Sequence, residues 1–184
     1  METRPFDDAA FTLSCALLCF HRARRRFLAL PSKPDEVDVF GTLTEALWWT
    51  AAVDEGFEDL DGDGYKSERE AEWLGRHLVG LRHARNQAGH QRAFMVRSEG
   101  GLTFPVTFPL TIPSMRVVWR PVEELPPPSP DHDGKIAKAR REQYATLLVG
   151  RPVAESLNHA AAWFAHAQNR EGTVSKGIPE YDGS

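Results

Sequence analysis

A chain of 184 residues with 41% hydrophobic and 26% charged side chains suits one soluble domain with a sizeable core. Its net charge of −4 excludes nucleic-acid binding through overall charge, so any RNA site has to be a local basic patch. No apolar run is long enough to span a bilayer, and the N-terminus lacks the charge, apolar and cleavage-site pattern of a signal peptide. The two cysteines, Cys15 and Cys19, lie four apart with no further ligands spaced for a metal. They read as buried free thiols in a reducing compartment, which places the expectation in the cytoplasm, with no membrane partner.

Residues 6–30 read as the first helix. Leu13, Leu17 and Phe20 make one apolar stripe and Phe11, Cys15 and Leu18 a second, which predicts burial against two neighbours, within the fold or across a dimer. The run His21-Arg22-Ala23-Arg24-Arg25-Arg26 reads either as a solvated basic last turn or as a phosphate-binding patch. Pro31 and Pro34 end the helix. Residues 36–58 form the second helix, through Phe40, Leu43, Leu47 and Ala51. Trp48 and Trp49 are adjacent, so they point about 100° apart and both are read as packing residues.

Residues 59–70 carry a calcium-loop spacing. Asp59, Asp61, Asp63, Gly64, Tyr65 and Glu70 fall at positions 1, 3, 5, 6, 7 and 12. Hard carboxylate oxygens converging on a hard cation, with Gly for the turn, is sound calcium chemistry, and the stretch resembles an EF-hand-type loop. Lys66 stands where that loop has an aliphatic residue, and no second loop follows. The other reading is an acidic interhelical turn, with Ser67 capping the next helix and Glu70 completing a capping box.

Residues 68–97 read as the third helix. Leu74, Leu78, Leu81 and Ala88 follow helical spacing, and Arg85 falls on the same stripe. A cation on an apolar stripe is paired, desolvated at an interface, or functional. Asn86 and His90 are four apart and share one face. Arg82, His83, Arg92 and Arg97 add positive charge, so a local electropositive zone for an RNA backbone is expected here, with Arg82, His83 and Arg92 as its contacts. Gly75 and Gly80 permit close helix packing, and Gly89 loosens the helix before His90.

Arg85-Asn86-Gln87-Ala88-Gly89-His90 resembles the signature of the HEPN family of helical ribonucleases and nucleotide-binding proteins: Arg, a polar residue, three residues, then His. The resemblance centres on residues 68–97. It implies a metal-independent endoribonuclease with Arg85, Asn86 and His90 as catalytic residues, RNA as substrate and a homodimer as the working unit. It also implies a bacterial defence or toxin–antitoxin setting, with a protein antitoxin or regulator as partner. A HEPN toxin subtype carries a Tyr two residues after the His; this chain has Arg92 there.

Beyond Ser98-Glu99-Gly100-Gly101 the character changes. Leu102–Phe104 and Val106–Phe108 resemble short extended runs interrupted by Pro105 and Pro109, and Met115–Arg120 is the best strand. Pro126–Pro130 reads as a stiff connector. Residues 133–149 and 152–168 read as two closing helices, with Gly150 as a stop and Pro152 in the first turn of the last helix. The expected fold is mainly α: an HEPN-like bundle of about five helices with a small irregular β or extended insertion at about 102–120. One domain is expected over 1–170, with the extended insertion at 98–130 and a disordered tail at 171–184.

The residues admit an enzyme and its alternatives. RNA carries its own nucleophile, the 2′-hydroxyl, so cleavage needs an acid/base group and charge stabilisation at phosphorus. His90 suits the first and Arg85 the second, without a cofactor. In another reading Arg85 pairs with an acidic residue of a neighbouring helix and His90 fills the bundle edge. An inactive RNA-binding or regulatory protein, or a calcium-binding interaction protein built on 59–70, are the remaining alternatives.

Overall fold

The computed structural model describes residues 5–100, 115–127 and 134–178. The described residues form a five-helix bundle with a two-stranded sheet. Its elements run α1 (Pro5–Leu28), α2 (Glu36–Ala71), α3 (Trp73–His90), β1 (Val96–Glu99), β2 (Arg116–Trp119), a 3-10 turn (Val122–Glu124), α4 (Lys135–Leu147) and α5 (Val153–Gln168). No helix among the described residues is long and apolar enough to cross a membrane.

Asp35 starts α2 in extended backbone, its carboxylate accepting the Val37 amide at 2.7 Å. The expected loop at 59–70 is instead the second half of this helix. Helical structure continues to Ala71 with one kink at Gly62, whose φ of 61° only glycine adopts freely. Tertiary contacts hold the second half: Tyr65 is fully buried, stacked on Phe57 and donating to Asp54 Oδ1 at 2.7 Å. The helix break falls later, at Glu72, and α3 starts at Trp73 rather than near 68.

Helix α5 lies at the centre, with Val153, Leu157, Ala160, Phe164 and Ala167 wholly buried. Phe164 meets Phe20 of α1 edge-on at 5.1 Å and stacks on Phe57 of α2 at 6.0 Å. Helix α3 packs against α2, α4 and α5. At Gly80 a Cβ would stand 2.8 Å from Leu148 Cδ1 and 3.2 Å from the Tyr144 backbone nitrogen, so glycine is what lets α3 and α4 approach. The α1 stripe of Leu13, Leu17 and Phe20 is buried, while on its second stripe Phe11 and Cys15 are exposed and Leu18 is half-buried.

The sheet pairs Val96 with Trp119 and Glu99 with Arg116, antiparallel. Strand β2 matches its expectation. Strand β1 takes Val96 and Arg97 from the end of the expected third helix and Ser98 and Glu99 from the expected breaker; the helix stops at His90, and Arg92 turns the backbone to a φ of 52°. Trp119 is locked from both sides: its amide donates to the Arg151 carbonyl at 3.1 Å and its indole to Ser156 Oγ at 3.0 Å. The extended runs expected at 102–108, and 128–130 of the proline connector, lie outside the described residues, as does 179–184 of the tail. Residues 171–178, expected to be disordered, fold back onto the bundle. Asp61 accepts from the Val174 and Ser175 amides at 2.9 and 3.1 Å and from Ser175 Oγ at 2.6 Å, and Gln168 holds the Ile178 carbonyl at 3.2 Å.

Candidate functional site

Helix α3 buries Leu78, Leu81 and Ala88 along one stripe. Arg85, on the same stripe, faces Trp48 of α2. Its guanidinium carbon lies 4.4 Å from the centre of the indole, and Nη1 donates to Asn86 Oδ1 at 3.1 Å. Its Nε is buried without a hydrogen-bond partner. Among the described residues Arg85 therefore meets an aromatic face and an amide, not the carboxylate that the ion-pair reading requires. A cation over an indole gains about 0.5–2 kcal/mol, depending on how far it is desolvated, and this contact leaves donors for an anion. Asn86 is half-buried beside it. His90, one turn on from Asn86, is exposed as the last residue of α3. Arg85 and Asn86 are thus brought together, with His90 following on the Asn86 face.

The three residues expected to contact RNA separate. Arg82 is committed inward: its Nε lies 2.5 Å from Asp54 Oδ2, and Nη2 donates to Glu58 Oε2 at 3.3 Å. The first is a charge contact without hydrogen-bond alignment, since Nε has no hydrogen-bond partner. His83 is buried against the Tyr144 ring, with centroids 5.2 Å apart. Burial first, then the charges of Arg141 and Arg140, push its pKa down to about 4, so it is a neutral core ring at neutral pH. Arg92 is exposed in the αL conformation next to the helix end. Of the three, only Arg92 has the exposure that a phosphate contact requires.

The calcium-loop residues also separate. Asp61 caps the folded-back tail, and Tyr65 is a buried core ring, so helical backbone replaces a loop wrapped round an ion. Asp59, Asp63 and Glu70 are exposed, and no group of three or more His, Cys, Asp or Glu among the described residues could hold a metal.

A buried charge network, not foreseen, lies beneath α3. Asp54, fully buried, accepts from Tyr65 and from Arg69 Nη1 at 3.0–3.1 Å, and Arg69 also reaches Glu58 Oε2 at 2.9 Å. Burial alone would raise Glu58, but Arg69, Arg82 and Lys66 together hold it below the usual carboxylate range. The readable signal was Asp54 and Glu58 four apart on a helix, with Arg69 and Arg82 downstream. Trp73, His77 and His159 form a second unforeseen cluster, with ring centroids 4.3–4.7 Å apart. Cavities of about 230 and 260 Å³ lie near β1 and β2, and neither is lined by Arg85, Asn86 or His90. In the basic run of α1, Arg26 pairs with Glu45 and Arg24 donates to Asn158, which favours the structural reading for those two arginines.

No protein-family model, curated protein or solved structure matches this chain.

Proposed function

We propose that the protein is an HEPN-like, metal-independent endoribonuclease that cleaves RNA through its 2′-hydroxyl. The observation that carries this reading is the state of Arg85: a cation on an apolar stripe, held by Trp48 and Asn86 and not neutralised by a described carboxylate. Its free donors stabilise charge on a phosphoryl group in flight. His90, exposed one turn away, removes the 2′-hydroxyl proton or gives a proton to the departing 5′-oxygen. The 2′-oxygen bonds to phosphorus as the phosphorus–5′-oxygen bond breaks, leaving a 2′,3′-cyclic phosphate and a free 5′-hydroxyl. Asn86 fixes the Arg85 fork by accepting from Nη1.

One copy supplies one imidazole of this motif, and the reaction uses both a base and an acid. Two copies facing each other supply both, and the exposed Phe11 of α1, with half-buried Leu18 on the same stripe, is consistent with a homodimer. A protein antitoxin or regulator would act by covering this face. The test is RNA cleavage in excess chelator. Substrates with a 2′-deoxy sugar at the cut site are expected to resist, and Arg85→Ala and His90→Ala to lose about a hundred-fold or more in rate. Unchanged cleavage by both variants removes the proposal.

A further inference from the structure

We infer that Trp48 is a stacking shelf for an unpaired base of the bound RNA; this rests on the ribonuclease reading above. Trp48 is 53% exposed, the most exposed tryptophan among the described core-bordering rings, with Arg85 over its ring. An indole left half in water forgoes part of its burial energy, and here it orders the cation that the ribonuclease reading sets on the phosphoryl group. Its helical neighbours leave it accessible. At four residues either side stand Thr44 and Ala52, and two turns back Gly41 has open space around it. Glu45, three residues back, has its charge met by Arg26. A base on the exposed indole therefore meets neither bulk nor an unpaired carboxylate from those positions, and its phosphate comes within the reach of Arg85. Bases in an A-form duplex are stacked inside it and cannot lie on such a shelf, whereas splayed single strands can.

The experiment measures binding separately from cleavage. A labelled single-stranded uridine octamer is titrated by fluorescence anisotropy into the His90→Ala chain, alongside an abasic oligomer of the same length and an RNA duplex. Trp48→Leu is expected to weaken octamer binding about ten-fold while Trp48→Phe keeps most of it. The abasic oligomer is expected to bind the unaltered shelf about ten-fold more weakly than the octamer, a comparison that needs no variant at Trp48. Octamer binding within about two-fold after Trp48→Leu, or equal affinity for abasic and base-bearing strands, overturns the shelf. So does a sedimentation shift to monomer on Trp48→Leu, which assigns the indole to a subunit interface. Trp48-dependent, base-dependent binding without cleavage by wild type supports the shelf and overturns the ribonuclease reading instead.

Discussion

Arg85 shows what one side chain's surroundings decide. Paired with a buried carboxylate it would be structural, as Arg69 and Arg82 are. Over Trp48 it keeps its charge and its donors. His83 and Arg92 yield two measurements at the same scale. The His83 pKa is depressed to about 4 from an unfolded value near 6.5, so its contribution to stability is complete above pH 6.5 and is lost as pH falls toward 4. Thermal melts should show a loss of about 2 kcal/mol by pH 5 from this ring, and His83→Phe, which keeps a ring against Tyr144, should flatten that part of the curve. An unchanged pH slope in the variant would place the titration elsewhere. Arg92 sits at a φ of 52° without being glycine. Arg92→Gly should raise the melting temperature, by relief of up to about 1 kcal/mol net; a fall would mean that its side chain contributes more than its backbone costs.

At the scale of elements, α2 explains both what the sequence shows and what it hides. The apolar periodicity of 36–58 is plain. The acidic stretch after it reads locally as a turn, because Asp and Gly favour loops. What carries the helix on is non-local: Tyr65 donates to Asp54 and accepts from Trp163, 98 residues away, at 2.9 Å, and Arg69 reaches back to Asp54. No local pattern reports such a partner. The same holds for β1, where Val96 pairs with Trp119 across residues whose local sequence continues a helix. Gly80 was legible because close packing is a standard use of a mid-helix glycine; Trp48 was not, because exposed and buried tryptophans look alike in sequence. The network makes a firm expectation: Asp54→Ala should cost about 3–5 kcal/mol in chemical denaturation, since it takes a carboxylate from the buried Arg69 and the partly buried Arg82. A loss under about 1 kcal/mol would show that Glu58 suffices for both.

For the whole molecule, composition and charge gave the class, and the mainly helical bundle with a small sheet follows the expectation drawn from periodicity. The Arg85-Asn86-His90 motif was legible on its stripe, but its setting was not: of the three companion residues Arg82 and His83 face inward, leaving Arg92 outside. The bundle uses Arg69 and Arg82 to hold itself together, and leaves His90 exposed at the end of α3 with Arg85 and Asn86 half-buried beside it. The most direct measurement is the rate of RNA cleavage in excess chelator by wild type, Arg85→Ala and His90→Ala, each confirmed folded by its melting temperature. Cleavage by wild type with 2′,3′-cyclic phosphate ends, lost in both variants, is the predicted result. Metal-free cleavage that persists in both variants, or no cleavage by any of the three, would contradict a ribonuclease centred on Arg85 and His90.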